Sequence, residues 1–188
     1  MEYLIEYILQ FGYINEHQGE LIKSKGQEVF LRKGAYFSEA GKIPRQVGFI
    51  VSGVIRGCYY GNLGEEITRC FISEKSLVCD YINFEANATS TEYLQAITNC
   101  HLIVFSKQDW NELSHIVAGW DNIKNKMVQI CMYQKSRKAP VISEDATTRY
   151  LAFIEHYPSL ANRIPLSYIA SYLGITQQSL SRIRRSIR

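Results

Sequence analysis

Acidic residues are missing from the C-terminal end of this chain. Between His156 and Arg188 there is no Asp or Glu, while Arg163, Arg182, Arg184, Arg185 and Arg188 all carry positive charge. The 188 residues have a formal net charge of +3, so residues 1–155 sum to −2. A basic end on a mildly acidic body suits a nucleic-acid partner; the bland alternative is a solvated basic helix terminus. Long apolar runs are also missing. Stretches such as Gly48-Phe49-Ile50-Val51 are far shorter than the ~20 residues of a membrane-spanning helix. Met1–Glu6 carries two acids and no basic stretch, unlike a secretory signal peptide. The five cysteines (58, 70, 79, 100 and 131) are odd in number and contain no Cys-x-x-Cys, which argues against a disulfide framework or zinc ribbon. The four histidines are isolated, without the His-x-His of a metal-gathering cupin. Gly-x-Ser-x-Gly, P-loop and Gly-x-Gly-x-x-Gly signatures are absent as well. The expectation is a cytoplasmic, reduced protein that is not an enzyme and has no metal, no cofactor and no membrane partner.

A content of 46% hydrophobic and 21% charged residues is that of a chain able to build a core. Residues 2–24 predict two short helices, with Tyr3, Leu4, Tyr7, Ile8 and Phe11 at helical spacing. From Glu28 to Phe105 the pattern changes to short β-rich runs (28–31, 48–51, 54–60, 66–72, 93–97 and 101–105) separated by glycine-bearing turns. Strands at this spacing predict a sandwich or jelly roll. Ser106 is an N-cap for a helix over 107–115, with Asp109 in its first turn. A longer helix over 116–138 follows, ended near Pro140. Within it Trp120, Ile123, Met127 and Ile130, continued by Gln134 and Arg137, recur at steps of three and four. That stripe fits a seam between two subunits, the alternative being that it packs on the β domain of its own chain. Residues 139–143 read as a hinge, and a helix over 145–156 with Ala146, Tyr150, Phe153 and Ile154 at helical spacing opens a second, smaller domain. The divisions are 1–115, 116–139 and 140–188.

The most specific local signal runs from Leu166 to Arg185. Ala170 is small where two helices cross, and Gly174 supplies the left-handed turn four residues later. Thr176 is an N-cap whose hydroxyl can accept from the amide of residue 178 or 179. Leu180, Ile183 and Ile187 lie on one side of the second helix. Gln178, Ser181, Arg182, Arg185 and Arg188 lie on the other, with Gln177 at the edge. Donors at the start of that face suit base edges, and arginines further along suit phosphate or guanine. The DNA-facing set is therefore Thr176, Gln177, Gln178, Ser179, Ser181, Arg182 and Arg185. A structural helical hairpin with a polar outer face is the alternative.

In this order of parts the chain resembles the Crp/Fnr family of bacterial transcription regulators. The residues that carry the likeness are Arg149-Tyr150-Leu151, Tyr157-Pro158, Arg163-Ile164-Pro165, Ile169 through Ile175 and Leu180 through Arg184, in a form similar to a branch common in Bacteroidetes. Lys33-Gly34, Ser52 through Arg56 and Gly64-Glu65-Glu66 match the family's turns more loosely. The resemblance implies an α+β protein. Its parts are an N-terminal double-stranded β-helix (jelly roll) of cyclic-nucleotide-binding type, a long dimerisation helix and a C-terminal helix-turn-helix domain. Implied partners are double-stranded DNA, a second copy of the chain and RNA polymerase. Gln178 departs from the acid often found near that position, so the family's usual half-site does not carry over. A jelly-roll regulatory protein that binds a ligand and never meets DNA is the competing reading.

Relatives that bind cyclic nucleotides use a Gly-Glu pair for the ribose and an Arg followed by Ser or Thr for the phosphate. Here the matching stretch, residues 76–93, has Glu92 near the expected arginine, and no Arg lies between Arg69 and Arg137. Cys79, Asp80, Tyr81, Thr91 and Glu92 are the candidate effector pocket. Iron–sulfur sensing would need N-terminal cysteines, and the first is Cys58. A thiol sensor at Cys79 stays open. With carboxylates where the phosphate would sit, calorimetric titration with cyclic AMP or cyclic GMP is expected to give no binding tighter than about millimolar. A micromolar constant would overturn this reading of the pocket.

Overall fold

The computed structural model describes residues 1–136 and 145–187. The hinge expected at 139–143, Arg137 of the stripe and Arg188 lie outside them. Two N-terminal helices, α1 (Glu2–Leu9) and α2 (Glu16–Lys25), come first. Asn15 starts α2 by accepting from the Gln18 amide at 2.9 Å, while the Gln18 side chain accepts from the Asn15 amide. Eight strands follow: β1 (Gln27–Leu31), β2 (Tyr36–Ser38), β3 (Gln46–Ser52), β4 (Ile55–Tyr60), β5 (Glu66–Ile72), β6 (Leu77–Val78), β7 (Tyr93–Ala96) and β8 (Cys100–Ser106). A short helix, α3 (Tyr81–Ala86), interrupts them. They form two antiparallel four-stranded sheets, β1-β8-β3-β6 and β2-β7-β4-β5. The expected strands are all present. The short β2 and β6 and the six-residue helix α3 are not foreshadowed in the sequence, because elements of two to six residues carry too little periodicity.

The first sheet is apolar on both faces. Ile50, Leu102 and Val104 point between the sheets, where they meet Ile55, Cys70, Ile72 and Leu94 of the second. The alternate residues Val47, Phe49, Ile103 and Phe105 point outward. A sheet buried on both sides reads as a continuous hydrophobic run, as 47–51 and 102–105 do. The outer face is covered by α1, by α4 (Lys107–Ile116) and by α5 (Trp120–Ser136). Ser106 caps α4 by accepting from the Asp109 amide at 3.1 Å.

The helix expected to begin at Ile116 begins at Trp120 instead. Gly119 breaks α4 from α5 at φ +80°, a left-handed conformation that suits glycine. The break turns the stripe inward. Trp120, Ile123 and Met127 are 1%, 3% and 1% exposed within a single chain. Trp120 packs on Trp110 with ring centroids 5.4 Å apart, and a Cβ at Gly12 would stand 2.7 Å from Ile123 Cγ1. These three residues therefore do not form a seam between subunits. They cover the β domain of their own chain, in one apolar cluster with Val47, Phe49, Ile103 and Phe105. Only Ile130 of the four remains open, at 40% exposure.

The C-terminal part contains α6 (Ala146–His156), α7 (Leu166–Leu173) and α8 (Gln177–Ser186). It has its own apolar cluster, Tyr150, Phe153, Leu160, Ile164, Ile169, Leu173 and Leu180, into which Val54, Phe71 and Ile97 of the β domain project.

The consequence for Met127 is direct. Met127→Lys is expected to destabilise the isolated chain by about 3–5 kcal/mol, through a lost buried side chain and an unpaired buried charge. Urea unfolding at several protein concentrations reads this. Unchanged monomer stability with a lost dimer would restore the seam.

Candidate functional site

The helix pair α7–α8 is built by local chemistry. Gly174 closes α7 in the left-handed conformation at φ 65°, and the Ile175 amide donates back to Ala170 O at 3.0 Å. Thr176 then caps α8 by accepting from the Ser179 amide at 3.1 Å. Arg149 of α6, only 9% exposed, donates Nη1 to the Leu173 carbonyl at the end of α7, where a cation also meets the negative end of the helix. Arg184 holds α8 to the preceding loop, donating to Asn162 Oδ1 at 3.0 Å. These contacts fix three helices with few residues.

Thr176, Gln177, Gln178, Ser181, Arg182 and Arg185 line one open hollow on the outer side of α8. Six of the seven residues expected to face DNA are thus brought together. Ser179 is not, because its hydroxyl lies 2.9 Å from Thr176 Oγ1 and is taken up by the cap. Ile187, expected on the apolar side, follows the helix end and is 40% exposed. No acid stands in the first turn of α8, and Arg184 and Arg185 occupy its last.

The helix pair is tied to the second sheet. Ser171 of α7 accepts from the Thr68 amide at 2.9 Å and donates to Glu66 O at 3.0 Å, satisfying backbone groups on the free edge of β5. Arg56, 1% exposed, lies 2.5 Å from Glu66 and 2.7 Å from Gln95 Oε1, and its guanidinium stacks 3.8 Å from the Tyr168 ring centroid. Phe71 packs against Phe153, Tyr157 and Tyr172. Arg163 grips Glu74 through both terminal nitrogens, at 3.1 and 2.5 Å. None of these contacts covers the outer face of α8.

The second region is a cavity of about 240 Å³ in the β domain. Cys79, Asp80, Tyr81, Thr91 and Glu92, the expected effector set, all line it. Two cations reach it that the linear reading did not bring there. Arg69 Nη1 stands 3.4 Å from Glu92, and Lys135, from the last turn of α5, donates to Glu92 Oε1 and to Cys79 O. The reading of carboxylates without a compensating cation is therefore corrected: both cations are present, and both are held by Glu92. Lys135 lies 43 positions from Glu92, and only the return of α5 over the sheet joins them. Cys131 of α5 also lines the cavity. Burial pushes its thiol up to about 11 and the Cys79 thiol well above the ordinary range. A neutral thiol is a poor nucleophile, which weakens the thiol-sensor reading of Cys79. Among the described residues no group of three or more His, Cys, Asp or Glu could hold a metal ion, and no helix is long and apolar enough to cross a membrane.

This jelly roll with a lateral cavity defines a class. Residues 28–115 match the family described as the cyclic nucleotide-binding domain. Over most of its length the chain is also similar in fold to several solved proteins. FixK2 from Bradyrhizobium japonicum superposes with a TM-score of 0.69 at 16% identity, over 86% of this chain and 84% of that one. The c-di-GMP-responsive global regulator CLP of Xanthomonas campestris gives 0.68 at 13% identity, over 92% and 91%. A protein from Eubacterium rectale assigned to the Crp/Fnr family gives 0.63 at 15% identity, over 92% and 83%. No curated protein matches the sequence.

The Arg163 guanidinium holds the Glu74 carboxyl below the usual carboxylate range. The stability this contributes is present above the unfolded-state value and lost as pH falls through the lowered folded one. Wild type is therefore expected to exceed Glu74→Gln in stability at neutral pH, with the gap closing below about pH 4. A gap that stays constant across that range would remove the ion pair as its cause.

Proposed function

We propose that the chain is a sequence-specific DNA-binding transcription regulator in which α7 and α8 form a helix-turn-helix and α8 reads the major groove. The carrying observation is the outer face of α8: Gln178, Ser181, Arg182 and Arg185 converge on one open surface, with no acid among them. Gln178 sits near the helix start, where base edges are closest, and Arg185 a turn or more beyond, at phosphate depth. The likeness to regulators of the Crp/Fnr type over most of the chain supports the same reading.

The regulator acts as a homodimer in this proposal, with two α8 helices entering successive major grooves about 34 Å apart on a near-palindromic site. Because Trp120, Ile123 and Met127 face their own chain, the second copy meets α5 along its open side. Ile130 and Tyr133 are 40% and 60% exposed there, in line with Lys126 and Gln129 one turn away. RNA polymerase is a further partner of such a regulator. Its effector is something other than cyclic AMP, or there is none, and its setting is the cytoplasm.

A selection from random duplexes tests the reading face. Wild type is expected to enrich a near-palindromic motif. Gln178→Ala should weaken the preferred site by about 1–3 kcal/mol per half-site and relax one position. Arg185→Ala should weaken all sequences alike and flatten the salt dependence by roughly one unit of slope for each phosphate no longer neutralised. If no motif enriches, the jelly-roll regulator that never meets DNA is the better account.

A further inference from the structure

One wall of the cavity beside α5 is a set of paired charges supplied by the chain itself. Glu92 is 5% exposed and Asp80 is 7% exposed. Asp80 Oδ2 accepts from Ser90 Oγ at 2.7 Å and from Asn83 Nδ2 at 2.8 Å, while its other oxygen stands 4.0 Å from Lys135 Nζ. Glu92 takes Lys135 on one carboxylate oxygen and Arg69 on the other. The Lys135 side chain is 12% exposed, whereas that of Arg69, at the mouth, is 51% exposed. The ammonium is thus the deep partner and the guanidinium the outer one. Burial alone would lower the Lys135 pKa, but the charge and hydrogen bond of Glu92 outweigh it, and the net direction is upward. The lysine is held as a cation.

We infer that this cavity is an ammonium site, and that its resident occupant is the chain's own Lys135, delivered by the last turn of α5. The four charges, Asp80, Glu92, Lys135 and Arg69, balance within the cavity. A phosphate entering it would have to draw both cations off Glu92, and would leave that carboxylate buried and unpaired. A ligand that takes the place of Lys135 instead carries a primary ammonium on a short alkyl stem, which reproduces the contacts it displaces. Withdrawal of Lys135 would free the last turn of α5 from the β domain, immediately before the segment that leads to α6. That regulatory consequence rests on the proposed function. The identity of the occupant does not.

Lys135→Ala removes a propylammonium-sized group, so n-propylammonium is the probe. Thermal unfolding of the full chain should show Lys135→Ala raised by a few degrees in millimolar n-propylammonium chloride, with wild type unmoved. Lys135→Ala/Glu92→Gln should lose the response. Propan-1-ol, similar in size and uncharged, should not substitute. Equal rescue by propan-1-ol, rescue persisting without Glu92, or stabilisation of wild type by cyclic AMP would each overturn the inference. If Lys135→Ala does not fold alone, its refolding yield with and without the amine reads the same contrast. A second measurement needs no such variant. In wild type, the Lys135 ammonium should give a ¹H–¹⁵N signal exchanging with water on the order of tenfold more slowly than surface lysines, and Glu92→Gln should abolish that protection. An unprotected signal in wild type would overturn the inference equally. Each of these readouts is independent of whether the chain binds DNA.

Discussion

The arrangement depends on one constraint: the first sheet of the jelly roll is apolar on both faces. Its inner face is matched by the second sheet, but Val47, Phe49, Ile103 and Phe105 need a separate cover. At roughly 1.5–3 kcal/mol for each fully buried side chain, leaving that row exposed would cost much of a small domain's net stability. The helices α1, α4 and α5 supply the cover, with Tyr7 packed 5.2 Å from Phe49 and Trp110 5.6 Å from Phe105. The inner stripe of α5 is consumed in this work. The same packing brings Lys135 over the cavity, so cover of the sheet and occupation of the pocket are two results of one helix placement.

The second sheet is handled differently. Its free edge, β5, is stopped by α7 through Ser171 rather than by another strand. Around that point, Arg56 is buried against Tyr168 and Phe71 is buried among the aromatic residues of α6 and α7. A fully desolvated arginine is tolerable because Glu66, Gln95 and Thr68 all answer it. The contact connects the β domain to the helix pair through its inner helix and leaves the outer face of α8 open. A sheet edge that needs protection and a helix pair that needs an anchor solve each other's problem.

Much of this was legible in the sequence wherever a signal was local. The Ser106 and Thr176 caps, the Gly174 turn and the alternating strands are set within a few residues by hydrogen bonding and backbone sterics. The outer face of α8 was legible for the same reason, since helical periodicity alone puts Gln178, Arg182 and Arg185 on one side. Ser179 stands apart from that face because a hydroxyl at the third position of a helix is drawn to its own cap.

What periodicity could not decide was the partner of an apolar face. The spacing of Trp120, Ile123 and Met127 requires burial, and a second subunit or the chain's own sheet satisfies that requirement equally. The left-handed break at Gly119 and the close approach at Gly12 chose the sheet. Likewise the sequence placed Asp80 and Glu92 in a candidate pocket, but their cations come from Arg69 on β5, across β4 from β7, and from Lys135 on a helix that returns from far along the chain. Local structure follows from local chemistry and is written in the order of residues. Charge neutralisation and the cover of a sheet are long-range demands, and only the folded chain determines which residues meet them.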